Sequence, residues 1–167
     1  MSTSPSSNSA APGHIEARLA ELGLTLPAPM KPAGAYIPTR RVGDLVFVAG
    51  QIPVRDGRVI TQGHVPETVT LDVARSCAEQ CVLNGLAAVK GEIGNLDLIE
   101  CVVRVGVFVA CDPQFEDHPK VADGASELLA RIFGDAGRHV RAAVGAPSLP
   151  RGVPVEVEFT FKLRAGA

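Results

Sequence analysis

The run Ile99-Glu-Cys-Val-Val-Arg-Val-Gly-Val-Phe-Val-Ala110 restricts the fold of this chain more than any other stretch. Its density of β-branched residues favours an extended backbone over a helix. Read as a strand, it places Cys101, Val103, Val105, Val107 and Val109 on one face and Val102, Gly106 and Phe108 on the other. A strand that is apolar on both sides has to be covered on both sides, so the sheet containing it needs packing partners above and below.

Further strands are legible on either side of it. Tyr36–Arg41 and Leu45–Ala49 flank the turn Val42-Gly43-Asp44, and Asp56-Gly57 turns the chain between Ile52-Pro53-Val54 and Val59-Ile60. Val140–Gly145 and Val153–Leu163 follow, separated by a loop rich in glycine and proline. Three stretches carry helical spacing. Ile15–Leu22 is short and is stopped by Gly23. Thr70 is placed to cap a long helix reaching about Glu92, with Ala74, Cys77, Ala78, Cys81, Leu86 and Ala88 as its apolar stripe. Lys120–Phe133 turns Val121, Leu128, Leu129 and Ile132 inward and ends at Gly134.

Residues 1–13 read as a flexible polar tail and 14–167 as one domain, in which 14–31 form a helix with a proline-rich connection and 32–163 form the core. The order strands, helix, strand, helix, strands predicts an α+β fold: a mixed sheet with two helices packed on one face. Two helices cannot cover both faces, and a partner subunit is the natural cover for the second.

Composition removes several function classes. The chain has 167 residues, 46% hydrophobic and 20% charged, with a net charge of −2. That balance offers no basic footprint for nucleic acid or anionic membrane, and no apolar run is long enough to cross a bilayer. The four cysteines, at 77, 81, 101 and 111, form no CxxC pair and read as reduced, buried packing residues. With no secretion signal in the polar tail, a cytoplasmic location is expected. No metal-ligand cluster, dinucleotide fingerprint or phosphate loop is present, so no cofactor is expected.

Chemistry concentrates between Arg141 and Glu158, where the sequence reads strand, rigid loop, strand. If the loop returns the chain so that Arg141 and Glu156 face one pocket from neighbouring strands, the arginine fork can grip a carboxylate and the glutamate can hold or activate a water. The plainer reading stands beside it. Glu156, Glu158, Thr160 and Lys162 alternate with Val155, Val157, Phe159 and Phe161, and glutamates on the polar face of a half-buried strand are usually only solvated.

Three motifs in order favour the first reading. Arg141-x-Ala-Val-Gly-x-x-x-Leu149-Pro150 followed by Val155-Glu-Val-Glu158 resembles the C-terminal signature of the RidA/YjgF family, also called the L-PSP endoribonuclease family. Gly50-Gln51-Ile52-Pro53 resembles its second motif, and Gly34-Ala35-Tyr36 stands where members have Gly-Pro-Tyr. The resemblance implies a chorismate-mutase-like α+β fold and a homotrimer with sites in the subunit clefts. It also implies cofactor-independent hydrolysis of 2-imino and enamino acids to 2-oxo acids and ammonia. By the same resemblance Arg141 and Glu156 are the catalytic pair. Tyr36, Gly50, Ser126 and Ala143 are substrate-binding, and the partner is a small carboxylate-bearing metabolite. The chain departs from the pattern at Ala49, where members have a hydroxyl residue, at Ala143, where many have cysteine, and at Ser126, where asparagine is usual. A non-catalytic module binding small 2-oxo or amino acids is the alternative. A ribonuclease or translation inhibitor fits less well, given the net charge of −2, one tyrosine and no tryptophan to stack bases.

Overall fold

In a computed structural model that describes residues 13–32 and 34–167, the strands form one five-stranded mixed sheet and a small hairpin. The expected tail at residues 1–13 lies outside the described residues except for Gly13. The elements are α1 (His14–Glu21), β1 (Thr39–Val42), β2 (Leu45–Gln51), β3 (Val54–Arg55), β4 (Arg58–Val59), α2 (Leu71–Ile93), β5 (Ile99–Ala110), α3 (His118–Phe133), β6 (Val140–Ala146) and β7 (Val155–Leu163). Their order in the sheet is β1-β2-β7-β5-β6, antiparallel throughout except for the parallel pair β5/β6.

Local chemistry accounts for the boundaries. Thr70 caps α2 by accepting a hydrogen bond from the Val73 N–H at 3.3 Å, and Gly94, at φ 78°, ends it. The β3–β4 turn holds Asp56 and Gly57 both at positive φ, as a tight hairpin turn requires. No side chain of its own caps α1. Instead Asp97 reaches across and accepts from the His14 and Ile15 N–H groups at 2.8 Å each, which ties the short helix to the domain. The first strand begins at Thr39 rather than Tyr36, leaving Tyr36 exposed in an irregular bend.

Helices α2 and α3 pack side by side on one face, α2 over β2 and β7 and α3 over β5 and β6, and together they bury Val155, Val157, Phe159, Phe161 and Leu163 of β7 at the centre of the core. The expected strict alternation along β5 does not hold. A bulge between Val102 and Arg104 shifts the register, so Val102 pairs with Phe161 on the helix face while Cys101 pairs with Lys162 on the other. Val105, Val107 and Val109 remain under the helices.

No described element covers the opposite face of the sheet. Phe47, Val140 and Val144 lie on it at 44%, 67% and 48% exposure, among Arg104, Glu156, Glu158 and Lys162. This face is a mixed surface rather than a wholly apolar one.

Candidate functional site

Register decides where the candidate residues stand. Arg141 on β6 pairs with Val105, whose side chain is buried beneath the helices, so Arg141 points to the helix face. Glu156 on β7 pairs with Phe108 and points to the uncovered face. Moreover β5 lies between β6 and β7. Within one chain, therefore, Arg141 and Glu156 neither occupy neighbouring strands nor share a pocket. The expectation of a single-chain pair is corrected, and the six candidate residues separate into two groups.

The first group surrounds Glu156. A cleft of about 150 Å³ is lined by Tyr36, Gly50, Gln51, Ile52, Arg151 and Glu156. By water's share of liquid volume that holds about five waters, the scale of a very small metabolite. Gly50 sits in a bulge where β2 shifts register against β7 between Val48 and Gln51. A Cβ on Gly50 would collide with the Glu156 carboxyl, so only glycine lets that carboxyl lie against the backbone here. Glu156 forms no hydrogen bond or ion pair among the described residues. Its neighbour Glu158, by contrast, accepts from Arg104 at 2.6 Å. Burial, followed by repulsion from Glu158, raises the Glu156 pKa above the ordinary carboxylate value.

Buried amides hold this cleft in shape. Gln51 donates to the Ala49 carbonyl at 2.9 Å inside the bulge. From α2, Asn84 donates to the carbonyls of Ile52 at 2.9 Å and Val54 at 3.1 Å, and accepts from Gln80 at 2.9 Å. Gln80 in turn accepts from Arg55 at 2.9 Å. Gln51, Gln80 and Asn84 are nearly inaccessible, and together they pin the loop that follows Gly50. Sequence reading missed Gln80 and Asn84, although amides four apart in the otherwise apolar stretch from Gln80 to Val89 are a signal for a buried polar contact.

The second group surrounds Arg141 at the edge of the sheet, beside an open hollow of about 280 Å³ lined by Ser126, Gly137, Arg138, His139 and Arg141. One terminal guanidinium nitrogen, Nη1, donates to Asp123 Oδ1 at 2.8 Å and to Ser126 Oγ at 2.9 Å. Ser126 Oγ lies 3.0 Å from His139 Nε2, and His139 Nδ1 lies 2.7 Å from the Gly137 carbonyl. Ala143 shares this face of β6 but packs towards the core. Asp123 and His139 were not anticipated. His139 lies two residues before Arg141 on an extended segment, and Asp123 three before Ser126 on a helix, so both shared a face with a residue already singled out.

Elsewhere the chemistry is muted. Burial pushes the Cys77 thiol up to about 11 and raises Cys81 and Cys111 as well. The thiol of Cys111, 3.3 Å from His118 Nε2, is therefore held from its nucleophilic form. A larger cavity of about 760 Å³ beside α1 is lined by His14, Arg18, Asp97, Arg131 and Arg164, but Asp97 there serves the α1 backbone, and Arg18 and Arg164 donate to main-chain carbonyls. Among the described residues no helix is long and apolar enough to cross a membrane.

The model of the family described as YjgF/chorismate-mutase-like, putative endoribonuclease, matches residues 16–159. Protein TCP17 of Trypanosoma cruzi is 36% identical over 154 residues, covering 92% of this chain and 96% of that protein. The 2-iminobutanoate/2-iminopropanoate deaminase of Dermatophagoides farinae is 28% identical over 137 residues, 81% of this chain and 91% of that one. Among solved structures, a protein of unknown function from Agrobacterium tumefaciens superposes with a TM-score of 0.85 at 39% identity, covering 90% of this chain and 93% of its own.

Proposed function

Because the chain belongs to the YjgF/chorismate-mutase-like family, we propose that it hydrolyses reactive 2-imino and enamino acids to 2-oxo acids and ammonia, at clefts between the subunits of a homotrimer. The observation that carries this reading is the division of the candidate residues. A fork for a carboxylate and a half-buried carboxylate base stand on opposite faces of one sheet, so a second copy must supply whichever half the first lacks. The partly apolar, uncovered face bearing Phe47, Val140 and Val144 is the surface on which copies would meet. The relative named as an imine deaminase supports the choice of reaction.

In this reading Arg141 of one subunit binds the substrate carboxylate and fixes C2 beside Glu156 of the next. Glu156 takes a proton from water as the oxygen attacks C2 of the protonated imine, giving a neutral carbinolamine. The protonated Glu156 then returns that proton to the amine, and as the C–N bond breaks the Glu156 carboxylate takes the hydroxyl proton, releasing ammonia, leaving the 2-oxo acid and passing the proton to solvent. A carboxylate with a raised pKa is a better base than an ordinary glutamate and holds the returning proton closer to neutral pH. Water, imine and products balance with no cofactor.

The test is ammonia release from freshly generated 2-iminopropanoate. Acceleration by the purified protein, lost in Glu156→Gln, is the expected result. A protein that binds 2-oxo acids without accelerating hydrolysis would instead be a binding module, with Ala49 the first residue to restore to a hydroxyl.

A further inference from the structure

The Arg141 guanidinium is not simply presented to the hollow. Both protons of Nη1 are committed, one to Asp123 and one to Ser126. Nη2 makes only a long contact of 3.4 Å with the Pro119 carbonyl, and Nε bonds to none of the described residues. The fork thus has a fastened edge and an open edge. Ser126 can accept from Arg141 only if its own proton points elsewhere, and His139 Nε2 lies 3.0 Å away to receive it. The Gly137 carbonyl, an obligate acceptor 2.7 Å from Nδ1, places an N–H on Nδ1, and that tautomer leaves Nε2 as an acceptor.

We propose that Asp123, Ser126 and His139 are positioning residues that fasten the Nη1 side of Arg141, so that the substrate carboxylate is received side-on by Nε and Nη2. His139 is the far end of this chain. It sets the direction of the Ser126 hydroxyl without itself touching the substrate, and through it the plane of the guanidinium. The assignment rests on the functional reading above for the identity of the ligand, but the fastening itself is a property of the free protein.

The experiment compares wild type, His139→Leu and His139→Gln. Glutamine places an amide oxygen near the position of Nε2 and keeps the acceptor; leucine removes it. Two readouts are taken: affinity for pyruvate by calorimetry, and the order of the Arg141 Nε–H signal by NMR, assigned with Arg141→Lys. His139→Leu should weaken pyruvate about tenfold or more and broaden the Nε–H signal, with KM for the imine rising more than kcat falls. His139→Gln should return all three towards wild type. An ordered Arg141 signal in His139→Leu, or a His139→Gln variant as impaired as His139→Leu, overturns the proposal, because the ring would then be only packing. A wild type that neither binds pyruvate nor hydrolyses imines, yet whose Arg141 order depends on the residue 139 acceptor, sinks the functional reading and upholds the fastening.

Discussion

Replacing Gly50 with alanine tests the proposed role of Glu156 as base apart from the rest of the fold. A Cβ at this position would stand 2.7 Å from the Glu156 carboxyl carbon and 3.0 Å from its Cγ. Carbon atoms settle at about 3.5–4.0 Å, so the carboxyl has to withdraw by roughly 1 Å. Displacement of a reacting group by that distance costs about 100-fold in turnover. Stability should hardly change. Gly50 does not require a positive φ, Glu156 is only half-buried and can swing outward, and alanine lowers unfolded-state entropy by about 0.4–1 kcal/mol. Gly50→Ala should therefore unfold in urea within about 1 kcal/mol of wild type while kcat for 2-iminopropanoate falls about 100-fold, close to the level of Glu156→Gln. Turnover within about threefold of wild type in a folded protein would refute the argument, since Glu156 could then work from a different position.

Three further outcomes follow from the same geometry. Asn84→Leu strands the Ile52 and Val54 carbonyls and should lower stability by about 2–4 kcal/mol in urea unfolding at fixed protomer concentration; a change below about 1 kcal/mol would show that the amide network is dispensable. Arg141→Lys keeps the charge but cannot satisfy Asp123, Ser126 and a side-on carboxylate together, so pyruvate binding by calorimetry should fall about as far as in Arg141→Ala; wild-type affinity would reduce the role of the fork to bare charge. Glu156 has a folded-state pKa above its unfolded value, so the folded protein binds the extra proton, and stability falls as pH rises through the window between the ordinary value of about 4.3 and the raised one. Glu156→Gln should accordingly be the more stable protein at about pH 7.5 and lose that advantage near about pH 4, and an equal or lower urea midpoint at the higher pH would contradict the burial of the charge.

Much of the fold was legible because its signals are local. The limits of β5, the Thr70 cap, the Gly94 and Gly134 stops and the Asp56-Gly57 turn each depend on a few adjacent residues. What failed depends on pairing. The bulge at Val102–Arg104 reverses the faces of Cys101 and Val102, and nothing in a run of alternating valines marks where an extra residue enters. In the same way, the loop from Arg141 to Glu156 invites a hairpin, whereas β6 runs parallel to β5 at the sheet edge and β7 inserts between β2 and β5. The types of the candidate residues were readable from motif resemblance, but their division between two faces was not, because face is set by a register with strands distant in sequence. Asp123 and His139 escaped for a related reason: each matters through a neighbour, and the contact appears only once α3 lies over β6.

Subunit mixing tests the central claim most directly. Arg141→Ala and Glu156→Gln, each expected to be inactive alone, are unfolded together, refolded as a mixture and assayed for ammonia release from 2-iminopropanoate. If each site takes its arginine from one subunit and its glutamate from the next, random assembly restores about a quarter of the sites, and activity should return to about that fraction of wild type. A mixture as inactive as its parents, although shown by mass spectrometry to contain hybrid oligomers, would place both groups in one chain's site and contradict the account.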